Sequence, residues 1–284
     1  MRRFERTSLG LVVVAVVLAA TAGRAVATDI TNYSVVSSAP TVVAGGGIGF
    51  AFAICPFPAV DYGGGVFAPT SSTEVSIDAF YSGSNRIWVG AENNLSDGQV
   101  DVFSYAVCAK NRRSLQKVTE TINIPPVQTA YGFAECPAGV KAISGGVIPN
   151  DPNIPQLSVS ASVPFTVGTG TSKRWVWEVE VNNFDLVTHS ATTYVYCAKV
   201  PGYQIVKSAF GAVNAHSFGA INVACPAGTF MLSGGGYGNI ASPDAINFNL
   251  QQSYPLGQGA NWSDVFNNNT NSAVAVQAEA VCAT

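Results

Sequence analysis

Charged side chains make up only 11% of the 284 residues, and there are just two histidines, His189 and His216. That leaves little material for a Ser/His/Asp or Cys/His nucleophilic site, and no G-x-S-x-G stretch accompanies either histidine. Apolar residues rarely recur at helical spacing, which argues against a helical fold. Beyond residue 27, no uninterrupted apolar run approaches the ~18 residues of a membrane-spanning helix. No Gly-Lys-Ser/Thr follows the glycine-rich stretches, so a phosphate-binding P-loop is excluded.

What is present begins with a basic MRRFER, an apolar run from Leu9 to Ala20, and Ala25-Val26-Ala27. This is the layout of a secretory signal peptide, and it predicts cleavage after Ala27 and no membrane insertion of the mature chain. Removal of residues 1–27 leaves ten basic and sixteen acidic side chains, a net charge of −6. Such a balance argues against a nucleic-acid partner, whose phosphates require a basic stripe. Arg112 and Arg113 are the only adjacent basic pair of the mature chain with a further basic neighbour, Lys110, and are read as a solvated linker. Abundant glycine, valine, threonine and asparagine suit short strands joined by tight turns.

The chain is triplicated. CPAGVKAISGG (136–146) and CPAGTFMLSGG (225–235) are near copies, and CPFPAVDYGGG (55–65) is a divergent third. Each starts Cys-Pro and ends in a glycine pair: Gly64-Gly65, Gly145-Gly146 and Gly234-Gly235. Trp88, Trp177 and Trp262 each stand five residues before an Asn-Asn pair and twenty before Cys108, Cys197 and Cys282. The expected domains are repeats at 28–110, 111–199 and 200–284. Strands are expected at 48–55, 131–136 and 218–225, each ending at the first cysteine.

Six cysteines in an exported chain imply three disulfides. Of the fifteen formal pairings, repeat symmetry selects Cys55 with Cys108, Cys136 with Cys197, and Cys225 with Cys282. Two cysteines per repeat with no recurring histidine cannot complete a four-ligand metal site, so no metal or cofactor is expected.

The recurring Trp88, Trp177 and Trp262 read as core anchors beside the disulfides, and the glycine pairs as a bulge or close packing. The Asn-Asn pairs fit hairpin turns, where asparagine tolerates positive φ. Asn94-Leu-Ser, Asn261-Trp-Ser and Asn268-Asn-Thr match glycosylation sequons. Glu178 and Glu180 alternate along a strand and are expected on one solvated face.

Length variation is confined to the stretch between the glycine pair and the tryptophan, which spans 22, 30 and 26 residues in the three copies. Loops that vary on a fixed scaffold are where binding resides, so Tyr81, Phe165, Trp175 and Tyr254 in these stretches are the candidate ligand-binding residues.

The C-P-A-G, S-G-G and A-V-C-A frame resembles repeats in secreted bacterial proteins, mainly actinobacterial, that carry no assigned activity. It covers nearly all of the mature chain, strongly in the second and third copies. More remotely, a Cys-Pro start with a terminal cysteine is similar to the modules of resistin and of the cysteine-rich C-terminal region of a proprotein convertase. That resemblance implies disulfide-bearing β-sandwiches grouped around a pseudo-threefold axis, with the first and last cysteine of each module paired. It implies no active site.

The expected fold is therefore all-β: three tandem disulfide-bridged β-sandwich modules in a pseudo-threefold arrangement, or alternatively a single three-sided β-prism. The expected function is non-catalytic binding of an extracellular glycan or protein through the variable loops. The alternatives are a structural component of an envelope or matrix and, third, a secreted hydrolase with scattered catalytic residues. Oligomeric state is left open.

Overall fold

The computed structural model describes residues 30–110, 115–151, 153–240 and 243–284. The signal segment and the Arg112-Arg113 pair lie outside the described residues. Twenty strands and two short 3-10 turns make up the regular structure of the described residues. The first repeat contributes β1 (Thr31–Ser37), β2 (Thr41–Val43), β3 (Gly47–Ile54), β4 (Val60–Phe67), β5 (Val75–Ser84), β6 (Ile87–Asn94) and β7 (Val100–Lys110). The second contributes β8 (Gln116–Ile124), β9 (Gln128–Glu135), β10 (Lys141–Pro149), β11 (Leu157–Val167), β12 (Arg174–Asn183) and β13 (His189–Ala198). The third contributes β14 (Gln204–Lys207), β15 (Gly211–Val213), β16 (Ser217–Ala224), β17 (Phe230–Asn239), β18 (Phe248–Leu256), β19 (Asn261–Asn268) and β20 (Val274–Ala283). The strands β3, β9 and β16 end one residue before Cys55, Cys136 and Cys225, where the following proline removes a ladder donor.

Independent sandwiches would keep each repeat's strands among themselves, and the strands do otherwise. One sheet runs β1-β7-β4-β18-β19-β16, the second β3-β6-β5-β10-β13-β8, and the third β14-β20-β17-β11-β12-β9. Every sheet thus joins the strands of one repeat to three strands of another, with β2 and β15 added to the first and third sheets beside β7 and β20, and the exchange closes in a cycle. The joints are short antiparallel contacts: Val66 opposite Ser253, Val147 opposite Phe80, and Gly236 opposite Ser162. A free strand edge exposes unpaired backbone groups, and pairing with a neighbour's edge satisfies them at the cost of each repeat's independence.

The glycine pairs make these joints physically accessible. A Cβ added at Gly65, Gly146 or Gly235 would lie 1.9, 2.1 or 1.8 Å from the carbonyl oxygen of Ser253, Phe80 or Ser162 across the joint. Any side chain there would push the two repeats apart. The first glycine of each pair serves its own repeat: a Cβ at Gly64, Gly145 or Gly234 would stand 2.5, 2.1 or 2.4 Å from Cγ of Trp88, Trp177 or Trp262. Just ahead of each pair, the strand pairing slips at Tyr62, Ile143 and Leu232, giving a β-bulge at the same place in all three copies.

The three tryptophans are 1% exposed. The Trp177 and Trp262 indole N–H groups donate to the hydroxyls of Ser162 (2.8 Å) and Ser253 (3.0 Å). In the first repeat Phe80 stands at the corresponding joint position, and the Trp88 N–H has no partner among the described residues. One apolar cluster runs through all three repeats, from Ile30 and Trp88 through Trp177 to Phe266 and Val281. The disulfides are Cys55–Cys108, Cys136–Cys197 and Cys225–Cys282, with Cα–Cα distances of 5.6, 5.7 and 5.8 Å.

The Asn-Asn pairs are not hairpin turns. Asn93, Asn94, Asn182, Asn183, Asn267 and Asn268 end the strands β6, β12 and β19, and all are fully buried. The first of each pair donates its amide to the backbone of another repeat: Asn93 to Leu157 O, Asn182 to Phe248 O (2.8 Å), and Asn267 to Val75 O (2.7 Å). The second tethers its own loops, as when Asn183 donates to Ile124 O, Pro125 O and Val187 O. Because Asn94 and Asn268 use their amides inward, two of the three sequons are inaccessible for glycosylation.

Candidate functional site

The length-variable stretches are largely strand. Tyr81 lies on β5, Phe165 on β11, Trp175 on β12 and Tyr254 on β18, and all four are half-buried. The chain crosses between sheets from β4 to β5, from β10 to β11 and from β17 to β18. The candidate residues are not all brought together: Tyr81, Tyr254 and the Phe165/Trp175 pair sit on three different sheets. Tyr81, Phe165 and Tyr254 are held in the sheets because β5, β11 and β18 are the strands that pair with a neighbouring repeat, while Trp175 lies on β12 beside β11.

Phe165 and Trp175 are brought together. They line a groove of about 570 Å³ with Lys141, Lys173, Tyr203 and Lys207. Lys141 comes from β10 in one sheet, while the β11–β12 hairpin and the start of β14 belong to another. The Trp175 and Tyr203 rings meet edge to face at 6.4 Å and 89°. The Lys141 ammonium lies over the Trp175 ring at 3.1 Å from its centroid and 5.8 Å from that of Tyr203. Lys173 approaches the same indole at 5.4 Å. Burial, and then the charge of Lys173, depress the Lys141 pKa. Tyr203 is fixed by its hydroxyl, which donates to Ala142 O at 2.8 Å, and burial pushes its pKa up.

The pseudo-equivalent corners are lined differently. At one, the Tyr33 hydroxyl donates to Met231 O at 2.8 Å, the counterpart of the Tyr203 bond, and its ring packs on Phe230 at 5.1 Å. At the other, Leu115 takes the tyrosine's place, and a smaller cavity of about 270 Å³ opens beside Asp61, Lys117 and Tyr196. Lys141 itself occupies a position held by Val60 and Phe230 in the other copies, five residues after the first cysteine. That departure from an apolar consensus was the available sequence signal for a lysine the candidate set lacks. Tyr203, Lys173 and Lys207 carry no comparable local signal.

Tyr254 belongs to an aromatic patch on the first sheet, where its ring lies 4.7 Å from Phe67 and 5.5 Å from Tyr105, with Phe103 beyond at 6.0 Å from Phe67. Tyr81 is half-buried on the second sheet, and burial and the charge of Asp78 raise its pKa.

The carboxylates on the third sheet are less exposed than strand alternation implies. Burial pushes Glu180 up to about 7, reinforced by the neighbouring Glu178 and opposed by a hydrogen bond from Ser160. Glu178 is raised by burial and by Glu279, and Glu279 is itself held by Lys207 at 2.5 Å. The cause is the strand exchange: β11 and β20 carry groups from two repeats onto one face beside β12. His189 pairs with Asp185 at 2.9 Å, and His216 contacts Asn271 at 3.1 Å. Among the described residues no group of three or more His, Cys, Asp or Glu is placed to hold a metal ion. No described helix is long and apolar enough to cross a membrane.

No protein-family model matches the chain, and no curated protein matches it.

Proposed function

We propose that this chain is an exported, non-catalytic binding protein that recognises a glycan or protein at an extracellular surface. The observation that carries this reading is the groove in which Phe165 and Trp175 converge with Tyr203 and three lysines. Concave sites of roughly 300–1,000 Å³ with aromatic walls and a few placed polar groups are the usual form of ligand pockets. Three disulfides suit an oxidising, extracellular environment. The repeats at 28–110, 111–199 and 200–284 are read as parts of one three-sided prism around an approximate threefold axis. The cyclic sheet exchange and the three Asn-to-carbonyl bonds support that reading. A glycan and cell-wall array probed with the mature protein and with Trp175→Ala tests the function. Binding weakened at least tenfold in the variant is expected, and undiminished binding overturns the groove as the site.

One observation favours the second reading, a structural component that self-associates. Phe52, Ile54 and Phe57 are 53%, 57% and 83% exposed in and beside the edge strand β3. Sedimentation of the mature protein decides it: growth of assemblies with concentration, in the absence of any ligand, supports the structural role.

A further inference from the structure

Resting on the reading of the groove as a binding site, we infer that its ligand is an acidic saccharide, with a carboxylate or sulfate received between Lys141 and Lys173. After signal removal the chain has ten basic side chains against sixteen acidic ones, yet three of the ten line this one groove. Their partners differ. Lys207 is neutralised by Glu279, and the adjacent Arg174 by Glu135 at 3.5 Å. Lys141 and Lys173 form no ion pair with a carboxylate among the described residues, and both ammonium groups lie over the same indole.

Two like charges held over one ring repel each other, and an anion placed between them relieves that repulsion. The indole face offsets part of the cationic charge, which is why the pair is tolerated in the free protein. The groove is far larger than one carboxylate or sulfate requires, and its walls also include Phe165 and Tyr203. Aromatic walls offer stacking to the apolar face of a sugar ring, and Gln204 is also among the lining residues. A nucleic acid is the weaker candidate, because the mature chain is acidic, with ten basic side chains against sixteen acidic ones.

Binding of size-matched oligomers of polygalacturonate, chondroitin sulfate and neutral dextran to the full mature protein tests the inference, by calorimetry at low and high salt. The variants are Lys141→Gln/Lys173→Gln and Trp175→Ala, with Lys110→Gln as a distant control and thermal melts to verify folding. The expected result is binding of one or both acidic oligomers, weakened at least tenfold in the double lysine variant and markedly by salt in the wild type. The carboxylated and sulfated arms identify which anion is taken. Neutral dextran bound as tightly as the acidic oligomers, salt-independent binding by the wild type, or full binding by the double lysine variant would overturn the acidic ligand. If Trp175→Ala still abolishes binding in those cases, the groove stands as a site for a neutral glycan. Failure of every glycan to bind both in this assay and on the array overturns the glycan reading itself.

Discussion

The side-chain amide of Asn182 donates to the carbonyl of Phe248, 2.8 Å away in the next repeat, and both residues are buried. It is one of three such bonds that tie the repeats in a cycle. Removing the donor leaves a buried carbonyl unpaired, which costs about 1–3 kcal/mol. Asn182→Ala is expected to lower the urea midpoint accordingly. Asn182→Asp should be worse, since it sets an acceptor against an acceptor. Urea titration followed by tryptophan fluorescence reads both.

A methyl group on Gly145 would meet the Trp177 ring at 2.1 Å, and the ring has no room to withdraw. Gly145→Ala should destabilise by about 1–3 kcal/mol or more, as overpacking of a rigid core does. Gly98→Ala is the control, because a Cβ there meets nothing within 4 Å. Its effect should stay within about 0.5 kcal/mol. Equal effects of the two in chemical denaturation would contradict the packing argument.

Burial pushes Asp78 and Asp264 up to about 8, and it also holds Glu92 well above the carboxylate range. The folded chain therefore keeps protons that the unfolded chain releases near the ordinary 3.8 to 4.5. Wherever the native state binds more protons, stability falls as pH rises. The contribution of these groups is complete at about pH 4 and is lost progressively up to about pH 8. Calorimetric Tm should be highest at mildly acid pH and decline by about 5 °C or more towards pH 8.5. Asp264→Asn should flatten part of that slope. A Tm that rises over the same interval would show these carboxylates to be ionised in the fold.

The bridge between Cys136 and Cys197 spans 61 residues. Loop-closure entropy for a ring of that size is worth about 4 kcal/mol. Replacing both cysteines by alanine should cost that order of stability, a large share of the ~5–15 kcal/mol typical of a domain. Guanidinium denaturation measures it.

Some features were legible because they are local or recur. The strands ending at Cys55, Cys136 and Cys225 follow from apolar β-forming runs closed by proline, and the disulfide pairing follows from counting copies. The Asn-Asn pairs misled, because asparagine is equally at home at a positive-φ turn and as a buried amide. Which applies depends on whether a foreign carbonyl, such as that of Phe248, arrives within reach. Glu178 and Glu180 misled in the same way, since alternation names a face without saying how deeply it is covered. Half of the groove was legible as aromatics in a variable stretch, but Lys141, Lys173 and Lys207 are distant in sequence and meet only where two sheets adjoin.

The sequence by itself determined a triplicated β chain with one cross-link and one core tryptophan per copy, because those rest on residue type and fixed spacing. Only the tertiary structure decided that each copy divides its strands between two sheets. Backbone hydrogen bonds are alike for every residue, so a strand edge carries no local record of which copy it will pair with. The choice is made by the whole cycle of joints, where glycines admit close approach and buried asparagine amides meet the carbonyls of the neighbouring repeat.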